Sequence, residues 1–314
     1  MAESIMNFNL STTDMIMFNS NLKNQLQYTS KLAGIFPSQP CKGSLAQVTT
    51  IIGKATAYVR NTPNSDTLLS ETSYNARWVS GEMTTIATLV DNLDTLQTMI
   101  EPTSAIVNNF ALEFGRVRDD YIINGLVGTA ITGIKGTERT AFNSKNIVPF
   151  DLGTGVKGAS QGGTIEKLRL AKKQLIANYV DTGSDFVFIC HNAFYYDLYN
   201  YVQVTQNIYS GAYTMVNDTL ERFLGFRIIN VNDRVPTRTA TTELVEGIPN
   251  TNGVVAQNIA TVTDAAVYGV WEDMYVRLDN RPDKNNAKQI FAEMMAGATR
   301  IYEDKVVIVE SAVI

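Results

Sequence analysis

The chain has 314 residues, of which 45% are hydrophobic and 18% charged, which is enough apolar material for a large core in two linked lobes and excludes a disordered protein. Its 26 Lys and Arg against 31 Asp and Glu give a formal net charge of -5, which argues against a dedicated nucleic-acid binder, because that task needs a basic face to displace counterions. The two cysteines, Cys41 and Cys190, are too few for a disulfide framework and have no partner at metal-ligand spacing, so both are expected to be reduced and inert.

Residues 1 to about 45 are rich in Asn, Ser and Met, lack sustained amphipathic order and end in the breakers Gly34, Pro37, Pro40 and Gly43. They predict an extended arm with a short helix near Asp14 to Leu26. A frayed terminus is the plainer reading of these residues, and a segment that orders only against neighbouring subunits is the functional one. Met1 to Ser4 carry no basic segment followed by an apolar stretch, and no run of about 18 apolar residues occurs, so neither secretion nor a membrane is expected. Synthesis and assembly in a cytoplasm follow.

Val48 to Arg60 and Thr67 to Val79 are rich in Thr, Tyr, Val and Ile, and the turn cluster Asn61 to Asp66 lies between them. This predicts a long hairpin with arms of roughly 40 Å at about 3.3 Å per residue, against a radius of gyration of about 20 Å for a chain this size. Its tip should overhang the subunit. A two-stranded ribbon is marginal in water unless something covers a face, and the cover is either another chain or the hairpin's own domain.

Pro102 opens a long helix to about Thr129, with Val107, Phe110, Phe114, Val117 and Tyr121 on one stripe. Gly125, Gly128, Gly133 and Gly136 are read as ending it, followed by a Gly-rich connection to about Gly163. Gly128 to Lys135 has a partial likeness to a phosphate loop, but Ile134 separates Gly133 from Lys135 and no Ser or Thr follows the lysine. Thr164 predicts an N-cap for a helix with Ile165, Leu168, Leu175 and Tyr179 on one side, closed by Gly183. Strands at Phe186 to Cys190 and Leu224 to Asn230, with a helix from Ala193 to Val204 between, mark an α/β lobe. The tail predicts strands at 266 to 271, 275 to 278, 288 to 296 and 299 to 309, with turns at Asn280 to Asn285 and Glu303 to Lys305.

No catalytic, cofactor-binding or metal site emerges. His191 is the single histidine, which excludes histidine-pair metal sites, and its strand-end position beside Cys190 puts the two side chains on opposite faces. The pairs Asp119-Asp120, Glu272-Asp273 and Glu303-Asp304 are sequence neighbours that share no face. No nucleophile elbow, zinc helix or dinucleotide fingerprint is present.

In this order the elements resemble the tailed-bacteriophage major capsid proteins of the Hong Kong 97 fold. The resemblance lies in Trp78 to Gln97 with Leu89-Val90-Asp91-Asn92-Leu93-Asp94, in Leu112 to Ile123 with Gly115-Arg116-Val117-Arg118-Asp119, in Leu168 to Val187 with Phe223 to Ile228, and in Gly269 to Lys284 with Ala296 to Ile301. It implies an α+β fold: an N-terminal arm (1–45), an extended β-hairpin loop (46–82), a peripheral domain (83–163) with a spine helix over about 102–129, an α/β axial domain (164–265), and returning peripheral strands (266–314). It also implies a structural, non-enzymatic subunit without cofactors, found in the virion as pentamers and hexamers of an icosahedral shell around double-stranded DNA. A portal, a separate scaffolding protein in the absence of a helical leader, non-specific DNA contact and a decoration protein are the further partners.

On this reading the loop lies across a neighbouring subunit, with Tyr58, Leu68, Tyr74 and Trp78 as apolar anchors and Lys54, Arg60, Asp66 and Arg77 choosing register. Arg116, Arg118 and Asp119 either meet that loop or solvate the helix. The family's Lys to Asn cross-link is not expected, because the tip from Asn61 to Asp66 contains no lysine. The rival readings are an encapsulin-like cargo compartment and a carboxylate-based α/β enzyme.

Overall fold

The computed structural model describes residues 29–53, 55–59, 61–63, 66–67, 69–70, 72–90, 103–152, 162–204, 213–216, 219–240 and 253–313. The helix expected near Asp14 to Leu26 lies outside them, as do Lys54, Arg60 and Leu68. By contacts the chain divides into two compact, discontinuous units, one of residues 1–30, 82–118 and 271–296, the other of 31–81, 119–270 and 297–314. Each differs from a simple succession of sequence blocks because both recruit segments from the two ends of the chain.

The larger unit is built on a mixed eight-stranded sheet, in the order β7 (Ile147–Val148), β16 (Val306–Ala312), β13 (Gly253–Val262), β8 (Phe186–Cys190), β11 (Phe226–Asn230), β10 (Thr219–Phe223), β9 (Tyr213–Val216), with β12 (Thr237–Ala240) beside β13. The parallel β8–β11 pair confirms the β-α-β expectation. The final strand β16 also joins this sheet through β13, so residues 266–314 do not return as one block. Alternate residues Phe186, Phe188, Phe226, Ile228, Ala260, Val307 and Val309 form one core face. Leu168, Ala171 and Leu175 of α2 (Ile165–Ala177) and Phe194 and Leu198 of α3 (Asn192–Val204) cover it. The opposite side chains Val187, Ile189 and Ile259 are buried too, which explains the uninterrupted apolar run of β8.

Several boundaries differ from expectation for local reasons. Leu224 and Gly225, at φ 50° and 83°, are the two central residues of a tight hairpin turn closed by the Phe223–Phe226 pair, so β11 starts two residues late. Thr164 does cap α2, its Oγ1 accepting from Lys167 N at 3.4 Å, but the helix closes at Asn178 rather than Gly183, which leaves Tyr179 85% exposed instead of on the apolar side. The expected connection after the spine contains β5 (Ala130–Thr132), β6 (Glu138–Thr140) and β7. Gly133 and Gly136, at φ 87° and 68°, make the β5–β6 turn, which accounts for the glycines that gave a partial likeness to a phosphate loop.

The spine helix α1 (Thr103–Val127) forms as expected. Phe110 and Phe114 of its stripe are buried, and after them the buried positions become Asp119, Ile122, Ile123 and Leu126. In the tail, the two expected strands after Ala266 are one strand, β14 (Ala266–Arg281), followed by a turn with Asn285 and Asn286 left-handed and then β15 (Ala287–Arg300). β4 (Glu82–Val90) pairs β15 from Val90–Lys288 to Glu82–Ala296, and β1 (Ser38–Pro40) runs parallel to the start of β14.

Candidate assembly surfaces

The extended hairpin is shorter as a ladder than its composition predicts. β2 (Leu45–Ile52) and β3 (Tyr74–Ser80) pair from Leu45–Ser80 to Ile52–Tyr74, giving arms of roughly 25 Å at about 3.3 Å per residue. The described residues 53–73 are not strands. The stop coincides with small side chains, Gly53, Ala55, Thr56 and Ala57 on one arm and Ser70 and Ser73 on the other, which offer little for an apolar cross-strand pair. The arms stay tied by Gly53 N to the Ser73 carbonyl at 2.7 Å and Thr56 N to Ser70 Oγ at 2.8 Å. Along this ribbon Ile52, Tyr58, Val59, Leu69 and Tyr74 are more than half exposed, between 54% and 85%, and Asp66 is exposed.

The base of the hairpin is different. Trp78 is only partly exposed; its Nε1 donates to the Gly133 carbonyl at 2.7 Å, and a Cβ at Gly136 would come within 3.1 Å of the ring. Arg77 is buried, donates from Nε to the Ile301 carbonyl at 2.8 Å and pairs with Glu303. These two residues of the proposed contact set therefore have partners inside their own unit, whereas Tyr58, Asp66 and Tyr74 present open surface.

The spine group separates in the same way. Arg116 pairs with Glu113 on the helix, and Arg118 reaches Asp273 at 3.2 Å. Asp119 neither solvates the helix nor faces outward. It is fully buried, and its two oxygens accept from Lys31 N at 2.9 Å and Leu32 N at 3.1 Å, fixing the turn that buries Leu32.

Sequence reasoning missed two buried cations. Arg300 is 0% exposed; it donates to the carbonyls of Leu126, Gly128 and Thr140 and pairs with Glu303. It thereby satisfies the C-terminal carbonyls of α1, which has no basic residue in its last turn. Lys167 is also 0% exposed, and its Nζ donates to Phe150 O at 2.9 Å and Gly162 O at 2.8 Å. Burial pushes its pKa down to about 8 against the pull of Asp151, Asp197 and Glu310. The signal available was a single lysine among the apolar positions of an amphipathic helix.

His191 is buried and structural: its backbone N–H donates to Asn258 Oδ1 at 2.7 Å, and its Nδ1 accepts from Ala193 N at 3.1 Å at the start of α3. Cys41 and Cys190 are free and buried, and burial raises both thiol pKa values, which disfavours the reactive thiolate. Among the described residues no group of three or more His, Cys, Asp or Glu is placed to hold a metal, and no helix is long and apolar enough to cross a membrane.

Comparison with solved structures finds the same fold in phage shells. The capsid protein of cyanophage P-SCSP1u is 13% identical and matches over 99% of this chain and 95% of its own, with a TM-score of 0.67. The mature capsid of bacteriophage PhiM1 matches at 12% identity over 93% and 90%, with a TM-score of 0.63, and Mycobacterium phage Ogopogo at 15% over 93% and 95%, with a TM-score of 0.60. No curated protein matches by sequence. The fold is that of the tailed-phage capsid proteins, as the resemblance implied, and the model of the phage capsid protein family matches residues 11–313. This chain belongs to the phage capsid protein family, whose members are structural and not enzymes.

Proposed function

We propose that the chain is the repeating major capsid subunit of an icosahedral phage head that encloses double-stranded DNA. The observation that carries this reading is the family match over residues 11–313, joined to a hairpin whose apolar side chains Tyr58, Val59, Leu69 and Tyr74 are uncovered by the subunit itself. Exposed aromatic and aliphatic groups on a ribbon cost hydration unless a neighbour shields them. Copies are arranged as pentamers and hexamers through heterologous contacts, and a net of individually modest contacts holds because each subunit leaves only when several break together.

Within this reading residues 1–45 are the arm and 46–82 the extended loop, residues 83–163 with the strands of 266–300 form the peripheral domain, and 164–265, joined by the final strand β16, surround the five-fold and quasi-six-fold positions. Tyr58, Leu68 and Tyr74 anchor the loop on the neighbour, while Lys54, Arg60 and Asp66 choose its register. Trp78 and Arg77 hold its base in the parent subunit. A separate scaffolding protein, a portal and a decoration protein complete the assembly, which takes place in a bacterial cytoplasm. Negative-stain electron microscopy of the expressed, concentrated protein tests the reading: shells or capsomers are expected, and a stable monomer at high concentration overturns it.

A further inference from the structure

The extended hairpin joins its sheet along a short seam. Besides its own arm β2, β3 pairs with β5 through Arg77–Thr132 and Trp78–Ile131. The angle between adjacent strands ranges over roughly 10° to 35° in sheets, and a seam this short does not choose within that range. Over arms of roughly 25 Å the spread moves the far end of the ladder by about 10 Å. Something else must aim the ribbon.

Two side chains on opposite faces of β3 act as stays. Successive strand residues point to opposite sides: Trp78 Nε1 donates to the Gly133 carbonyl in the β5–β6 turn at 2.7 Å, whereas Arg77 reaches the Ile301 carbonyl at 2.8 Å and Glu303. The stays are themselves joined. Glu303 pairs with Arg300, Arg300 Nη2 donates to the Thr140 carbonyl of β6 at 2.9 Å, and β6 returns through its pairing with β5 to the turn at Gly133. Contacts therefore run in a closed circuit around β3, from Arg77 through Glu303, Arg300, Thr140 and Gly133 to Trp78, and every member lies in the larger unit. Arg300 also holds the Leu126 and Gly128 carbonyls, which ties the circuit to the end of α1.

One joint of the circuit is weaker than the rest. Arg77 and Glu303 approach to 3.3 Å, but Arg77 Nη1 and Glu303 Oε1 are buried without a hydrogen-bond partner. Such groups are uncommon and call for an explanation. Stability does not supply one, because apolar side chains of similar volume stabilise such a site as well as a buried ion pair does. What the pair adds is direction. We propose that Glu303 is a positioning residue: through Arg77 it braces the base of the extended hairpin against Arg300 and the end of the spine helix, and so sets the direction in which the hairpin leaves its subunit. The inference rests on the shell reading above, in which the hairpin must arrive on a neighbour, and identifies what aims it.

Distances report direction separately from stability. Cys41 and Cys190 are buried, so spin labels can be confined to Ile52→Cys at the end of the hairpin ladder and Lys173→Cys on α2, both exposed. In unassembled full-length subunits, double electron–electron resonance is expected to give one narrow distance distribution, and Arg77→Met to widen it about twofold as the strand angle becomes free. Val309→Ala, which removes core volume beneath the eight-stranded sheet, is expected to lower the melting temperature and leave the distribution unchanged. Should Arg77→Met fail to fold, Arg77→Lys carries the same test, because lysine lacks the planar fork that serves the Ile301 carbonyl and Glu303 together. Without labels, Arg77→Met is expected to need a roughly tenfold higher concentration to assemble. A distribution as narrow and as centred as wild type overturns the proposal, however far the variant's melting temperature falls, and so does assembly at the wild-type concentration. The distances are read on single subunits, so wild-type protein that forms no particles removes the shell reading and leaves the brace standing, whereas particles with an unmoved hairpin remove the brace alone.

Discussion

Arg77 and Glu303 approach to 3.3 Å with side-chain exposures of 7% and 18%, and the same Glu303 pairs with the fully buried Arg300. One carboxylate thus lies between two guanidinium groups. Burial lowers the Arg77 pKa, Glu303 opposes that shift, and Arg300 adds to it. Removing the carboxylate leaves two sequestered cations facing each other, so Glu303→Gln should destabilise the subunit by about 3–5 kcal/mol. Urea denaturation of unassembled protein measures this; a loss below about 1 kcal/mol, the level of a surface pair, would sink the assignment.

Asp119 makes a second prediction. Its oxygens serve the backbone amides of Lys31 and Leu32 separately, and an asparagine offers only one acceptor oxygen. Asp119→Asn should cost about 1–3 kcal/mol, the penalty of one buried donor left unsatisfied. Hydrogen exchange should quicken selectively at the amides of residues 31 and 32. Unchanged protection there would contradict the geometry.

Lys167 gives a pH dependence with a definite sign. Burial depresses its pKa from 10.5 to about 8, so between those values the unfolded chain binds more protons than the folded one and stability from this group rises with pH. Below about pH 8 the lysine is charged in both states and the full cost of burying it is present. The stability difference between wild type and Lys167→Met should therefore shift in favour of wild type from pH 7 to pH 10. A flat difference across that window would mean that Lys167 keeps an ordinary pKa in the folded protein.

These groups explain which parts of the molecule could be read from sequence. β8, the Thr164 cap and the turn after Arg281 were legible because each depends on neighbours within a few positions. Arg300, Lys167 and Asp119 were not, because the carbonyls, amides and carboxylates that satisfy them come from distant segments, and an isolated charged residue looks the same whether solvated or sequestered. Tyr179 failed for a related reason: helical periodicity placed it on the apolar side, but the backbone turns left-handed there. The expected strands at 266–271 and 275–278 are one strand, β14, because a strand solvated on both faces accepts the consecutive charges Glu272 and Asp273. Of the loop's proposed contact set, Tyr58 and Tyr74 are exposed whereas Trp78 and Arg77 have partners within the subunit, a difference that composition does not carry.

That distinction is testable in one pair of variants. From sequence alone Trp78 is an intersubunit anchor, so Trp78→Ala should lower assembly more than folding. The indole instead donates to the Gly133 carbonyl at 2.7 Å and packs against Gly136, so the expected outcome is a loss of about 2–4 kcal/mol in the unassembled subunit, somewhat below a fully buried truncation. Tyr58 is 54% exposed, and Tyr58→Ala should leave subunit stability within about 0.5 kcal/mol while slowing assembly followed by light scattering. The two variants should therefore separate, one in calorimetry and the other in assembly rate. If Trp78→Ala melts like wild type and only assembly falls, the indole's energy is spent on a neighbouring copy and its assignment to the base of the loop is wrong.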